Sequence, residues 1–138
     1  MRKILILCVL TLSLASCSLD DNNYVEYDTE FVPIESVTIP EEFVFGSTHQ
    51  IFMTYFRPTS CHSFYDFFYE INYNERTVAV VDIFPIGQQC EVLEEEEVEV
   101  SFNFQVNSME PYVFRFYQGV DETGDDVYYI VEVPVVEE

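Results

Sequence analysis

The sequence predicts an all-β domain, a sandwich of about seven antiparallel strands in two packed sheets. Three observations predict it. From Phe31 onward nearly every segment alternates apolar and polar residues with period 2, which puts successive side chains on opposite faces of a strand. Glycine and proline fall between these segments rather than inside them. All 13 Phe and 10 Tyr lie after residue 17, ample material for a core, and no 3.6-residue period accompanies them.

The elements follow in chain order. Val37 and Ile39 alternate with Ser36 and Thr38 until Pro40 ends the first strand. The second covers about His49 to Phe56 and stops at Arg57-Pro58. The third runs from Phe64 to Tyr73, with Tyr65, Phe67, Tyr69, Ile71 and Tyr73 on one face and Asp66, Glu70 and Asn72 on the other. Asn74-Glu75 is a tight turn into the fourth, Arg76 to Phe84, which Pro85 and Gly87 end. The fifth, Glu97 to Val106, has the cleanest pattern: Val98, Val100, Phe102, Phe104 and Val106 face inward, and Glu99, Ser101, Asn103 and Gln105 face water. Tyr112 to Tyr117 and Val127 to Val135 are the sixth and seventh. Strands of this number and spacing favour an immunoglobulin-like sandwich, with a small barrel as the alternative. The antibody-type marks are absent: there is no Trp, and Cys61 and Cys90 are too close in sequence for the usual inter-sheet bridge.

The first 30 residues read differently. Arg2 and Lys3 precede an apolar run, Ile4 to Leu14, and the small residues Ala15 and Ser16. A bilayer-spanning helix needs about 20 apolar residues, so this run is too short for one. Leu14-Ala15-Ser16-Cys17 resembles the lipobox of bacterial lipoproteins, in which the cysteine is acylated with palmitate-type chains and becomes the new N-terminus. The rival is ordinary secretory cleavage after Ser13-Leu14-Ala15. Cysteine parity favours lipidation: Cys8 leaves with the signal, and plain cleavage would strand an odd thiol among Cys17, Cys61 and Cys90. The expected organisation is therefore residues 1–16 as a signal peptide, 17–30 as lipidated Cys17 and an acidic tether, and 31–138 as one sandwich domain. Asp20-Asp21 behind the cysteine also resembles the surface-export signal of Bacteroidota lipoproteins.

Charge narrows the partners. The chain carries 26 acidic residues and a net charge of −21. Cleavage before Cys17 removes Arg2 and Lys3 but no acid, which takes the charge to −23 and leaves Arg57, Arg76 and Arg115 as the only Lys or Arg residues. Nucleic-acid binding depends on cations that neutralise phosphates, so it is excluded as a function. Docking onto an anionic bilayer through charge is excluded on the same ground, and the lipid on Cys17 is the expected link to the membrane.

The order of several motifs is similar to small lipoproteins of Bacteroidota, flavobacterial ones above all, that carry an immunoglobulin-like domain. These motifs are Pro58-Thr59-Ser60-Cys61-His62-Ser63-Phe64, Arg76-Thr77-Val78-Ala79-Val80, Cys90 and Tyr112-Val113-Phe114-Arg115-Phe116-Tyr117-Gln118-Gly119, followed by an acidic glycine-containing turn and Tyr128 to Pro134. The resemblance covers about Ile34 to Val135. It implies a fold and an envelope location, and carries no activity. Such chains usually place a glycine before the tyrosine of the sixth strand. Here Glu110-Pro111 precedes Tyr112, which argues against a tyrosine corner.

No catalytic constellation is visible. Cys61 and His62 are adjacent, but neighbours on extended chain point to opposite faces, so a thiol–imidazole pair is not expected. In an oxidising compartment, with Cys17 lipidated, Cys61 and Cys90 are expected to form a disulfide. His49 and His62 are too few for a zinc site. Asp121-Glu122-Thr123-Gly124-Asp125-Asp126 is dense in oxygen donors, so Asp121, Glu122, Asp125 and Asp126 are a weak calcium candidate. The plainer reading is a solvated hairpin turn with Gly124 at positive φ. The run Glu94 to Glu97 reads as a solvated stretch, and paired carboxylates for glycosidic chemistry find no signature. The expected protein is a lipid-anchored, outer-membrane, surface-facing module that needs no cofactor, is not an enzyme, and binds a protein or glycan ligand. The alternative is an accessory subunit of an envelope complex, docking through the edge of the last strand, Val127 to Val135. An enzyme acting on envelope polymers is the third reading, for which no site argues.

Overall fold

The computed structural model describes residues 23–138. The expected signal peptide, Cys17 and the start of the expected acidic tether lie outside the described residues. The described chain is all-β, in ten strands: β1 (Tyr27–Val32), β2 (Ile34–Thr38), β3 (Phe43–Val44), β4 (Thr48–Phe56), β5 (Ser63–Asn72), β6 (Glu75–Pro85), β7 (Glu97–Gln105), β8 (Tyr112–Val120), β9 (Asp126–Val133) and β10 (Val135–Val136).

Two open sheets form the sandwich, which rules out the barrel. The smaller is β2-β4-β7, antiparallel throughout. The larger has five strands centred on β6. One side of β6 pairs with β5 from Glu75 to Ile83. The other side is shared: β1 takes Val80 to Pro85 antiparallel, and β8 takes Glu75 to Val78 parallel. β9 then pairs with β8 and forms the far edge. A two-residue parallel ribbon, β3 with β10, closes one end.

The structure corrects the sequence reading in three places. There are ten strands rather than about seven, because β1 begins at Tyr27 inside the stretch read as tether, and because β3 and β10 are too short to show a period. The sheets are mixed rather than purely antiparallel, through β6–β8 and β3–β10. The β5–β6 turn is Tyr73-Asn74, one residue earlier than expected, and Tyr73 takes φ +55°. A tyrosine in that region is strained by roughly 1–3 kcal/mol. The turn is held from both sides: Arg76 Nη1 donates to Tyr73 O at 2.7 Å, and Asn74 Nδ2 donates to Pro111 O at 2.8 Å.

The chain passes from the large sheet to the small one at Pro33, between β1 and β2. Gly119 lies against this crossing. Its φ is +96°, and a Cβ there would stand 3.2 Å from Pro33 Cγ, so the position needs glycine both for its backbone and for its lack of a side chain. Between the sheets, Val32, Ile34, Phe43, Ile51, Met53, Tyr55, Val78, Val80, Phe104, Val106, Tyr112, Phe114, Phe116 and Val133 make one buried cluster. Each fully buried side chain of this size contributes roughly 1.5–3 kcal/mol. Tyr112 does form the corner that Pro111 argued against: its hydroxyl donates to Asn107 Oδ1 at 2.9 Å and accepts from Asn107 N at 3.2 Å. The upstream asparagine supplies the closure, so no glycine is required.

Candidate functional site

The site that stands out is the strand the core does not cover. β5 pairs with the centre of the large sheet, yet nine of its ten residues are exposed and only Phe67 is half-buried. The expected inward face does not survive intact. A bulge between Phe64 and Asp66 leaves Tyr65 without a partner and places Phe64 opposite Asp82. Beyond the bulge, Phe67, Tyr69 and Ile71 stand opposite Val80, Val78 and Arg76 and share their inward face. They remain accessible because the large sheet is wider than the small one. β5 overhangs, and the strand facing it is the edge strand β7.

The two edges enclose a groove of about 400 Å3, walled by Phe67, Tyr69 and Ile71 from β5 and by Phe102 and Phe104 from β7. Phe102 meets Phe67 edge-on at 5.4 Å and Tyr69 at 5.8 Å. Arg76 also lines it, 7% exposed, with its guanidinium 5.1 Å from the Tyr112 ring centroid. Its Nη1 is used by Tyr73 O and Glu75 O, and no carboxylate pairs with it among the described residues. Burial pushes the Tyr69 hydroxyl pKa up, and the nearby Arg76 charge opposes that rise. Asp66, Asn103, Gln105 and Asn107 complete the lining.

The solvent-facing side of the same sheet carries a row of rings across four strands. Phe68 of β5 lies 5.3 Å from Phe31 of β1, Phe31 lies 5.6 Å from Tyr117 of β8, and Tyr117 lies 6.1 Å from Tyr128 of β9. Phe31 and Phe68 are exposed. Arg115 sits 4.3 Å over the Tyr128 ring and pairs with Glu75 at 3.2 Å. The sequence reading assigned most aromatics to the core. The signal for this row is the alternation Tyr27, Thr29, Phe31, which starts inside the expected tether, 17–30, and ends on the first residue of the expected domain. The opposite flank, between β9 and β2, holds a smaller pocket of about 280 Å3 lined by Glu35, Ser36, Val37, Gln118 and Tyr129. β9 is an edge strand of the large sheet.

Cys61 and Cys90 are joined, with S–S 2.02 Å and Cα–Cα 5.7 Å, so Cys61 is no nucleophile. His62 is buried against Phe84, its rings stacked at 4.7 Å, with Glu30 Oε1 at 2.7 Å from Nε2 and Thr59 Oγ1 at 2.7 Å from Nδ1. His49 Nε2 lies 2.7 Å from Ser47 Oγ, but that hydroxyl has Val44 O at 2.5 Å, and the pair braces a turn. In the loop 121–126, Asp121 Oδ1 accepts from Thr123 N at 2.8 Å, Thr123 Oγ1 at 2.7 Å and Asp125 N at 3.0 Å. These bonds lower the Asp121 pKa and commit its carboxylate to the turn. Among the described residues no three His, Cys, Asp or Glu side chains converge as a metal set.

One buried acid was not anticipated. Asp82 is fully buried and accepts from Tyr55 Oη at 2.8 Å, while its Oδ2 has no partner among the described residues. Burial raises its pKa, and the hydrogen bond from Tyr55 is the main cause that opposes the rise. Burial likewise pushes the Tyr55 hydroxyl up. Neither the β5–β7 groove nor the β9–β2 pocket reaches Asp82, so it has no path to a substrate from them. Comparison of the chain with protein-family models, curated proteins and solved structures finds no match, and the functional reading rests on this geometry.

Proposed function

We propose that this chain is a lipid-anchored module of the bacterial cell envelope, held to the outer membrane through Cys17, that binds a protein or glycan ligand without catalysis. The observation that carries the binding reading is β5, a ten-residue strand with aromatic residues on both faces, nine of its ten residues exposed. Exposed apolar surface of this kind marks interaction sites. The groove on one side and the ring row on the other make β5 the natural centre of contact. The lipobox-like stretch and the parity of the cysteines support the anchor.

The test is site-specific crosslinking in intact cells, with a photo-reactive residue at Phe68 and, as control, at Gln50 on the outer face of the small sheet. A discrete adduct from position 68 and none from position 50 is expected. Adducts from neither position, or from both alike, would overturn the binding reading.

A further inference from the structure

We infer that the free edge of β5 takes up an extended peptide segment in which apolar residues alternate with others, two of them basic and four residues apart. The inference rests on the binding reading above and names the partner of the same site. From Asp66 to Asn72 the strand is regular, and β6 is its only partner among the described residues. Its outer backbone groups therefore present a hydrogen-bonding row to an incoming strand, with Phe67 N, which donates to Asp66 Oδ1 at 2.8 Å, to be released as that strand docks.

The two faces of β5 dictate what such a strand must carry. Residues directly opposite each other in a sheet share a face. Inward side chains of the added strand would enter the groove beside Phe67, Tyr69, Ile71, Phe102 and Phe104, whose rings and chains favour apolar residues, while Asp66, Arg76, Asn103, Gln105 and Asn107 make up the polar part of its lining. Outward side chains would meet Asp66, Phe68 and Glu70 in turn. That order calls for a cation, an apolar or aromatic residue, and a second cation.

A second copy of this chain is disfavoured in the register that centres the pair on Phe68. In an antiparallel pair centred on Phe68, Asp66 of each copy would stand opposite Glu70 of the other, and opposed like charges destabilise a sheet. Each chain also carries a charge of −21, or −23 after cleavage before Cys17. The acids of β5 and the charge of the whole chain thus disfavour self-pairing while favouring a basic strand, which is specificity by exclusion.

The experiment uses the protein without its signal and the peptide VKVYVKV, acetylated and amidated, with VEVYVEV as its counterpart. The sequence reads the same in either direction and so presumes no orientation. By fluorescence anisotropy at low salt, VKVYVKV should bind about tenfold or more tightly than VEVYVEV, and salt should weaken it. Glu70→Lys changes an exposed side chain without a hydrogen bond in the structure, so the fold is kept. It should weaken VKVYVKV and strengthen VEVYVEV. N-methylation of one alternating set of peptide amides should abolish binding, and of the other set should not. Equal affinity for the two peptides, indifference to Glu70→Lys, or equal effects of both methylation patterns would overturn the inference. So would a dimer of the protein in sedimentation that the peptide dissolves, since a second copy would then fill the edge. Crosslinks at Phe68 without peptide selectivity would leave the binding reading standing and remove this one.

Discussion

Replacing Cys61 and Cys90 together by serine should destabilise the domain by about 3–4 kcal/mol without changing its structure. The bond closes a separation of 29 residues, spanning β5, its turn and β6. In the chain-entropy model, a loop of that length costs the unfolded chain about 12 cal/mol/K, or about 3.6 kcal/mol at 25 °C. The folded side of the comparison is favourable, because hydrogen bonds hold the same two segments without the sulfurs. Ser60 N donates to Glu91 O at 2.9 Å, Leu93 N donates to Pro58 O at 3.0 Å, and Glu91 N donates to Ser60 Oγ at 3.0 Å. The native geometry should therefore persist, and the loss should come from a freer unfolded state. Urea unfolding would show a lower midpoint and a slightly larger m-value, as the unlinked chain exposes more surface. A fall in Tm on the order of 10–15 °C would accompany it. A loss below about 1 kcal/mol, or a native-state circular dichroism spectrum different from the parent's, would refute the argument.

Further outcomes can be checked independently. Cys17→Ser should move the protein from the membrane fraction to the soluble one and remove the lipid mass from its N-terminal peptide; unchanged fractionation with no lipid on the parent would refute the anchor. Millimolar calcium should leave Tm almost unchanged, because Asp121 already serves the turn; a rise that is lost in Asp125→Asn with Asp126→Asn would show a site. Asp82 has a raised folded pKa, so its contribution to stability is full below the unfolded value near 3.9 and is lost as pH rises through the folded value. Asp82→Asn should therefore gain on the parent as pH climbs from 4 toward neutral, and parallel stability–pH curves for the two proteins would contradict the assignment.

Much of the fold was legible because its signals are local. β4, β7 and β8 fall within a few residues of their expected bounds, and Val98, Val100, Phe102 and Phe104 of β7, with Val106 just after it, face inward as the alternation requires. What the sequence concealed is non-local. The parallel pairing of β8 with β6 depends on β1 occupying only half of one side of β6, and no alternation in either strand records that. β1 itself alternates acids with Tyr27, Thr29 and Phe31, and its acids read as solvated chain until Glu30 is seen against His62. The disulfide was legible from compartment and parity alone. β5 was legible as a strand but not as one left largely exposed.

That last difference has a physical root. A period-2 pattern reports which side chains share a face, not whether another sheet lies over that face. With five strands in one sheet and three in the other, one edge of the wider sheet must overhang, and polar residues there would cost nothing. The chain instead places Phe67, Tyr69 and Ile71 over the groove and Phe68 on the outer face. Local pattern and global layout are thereby at odds at this strand alone of the long central pair, and such conflicts are tolerated where a surface has a use. The strand that pairs with one side of β6 is thus patterned for a core and left largely exposed. The acids at 66 and 70 then limit what may cover it, because they disfavour a second copy of an acidic chain and leave the edge open to a basic one.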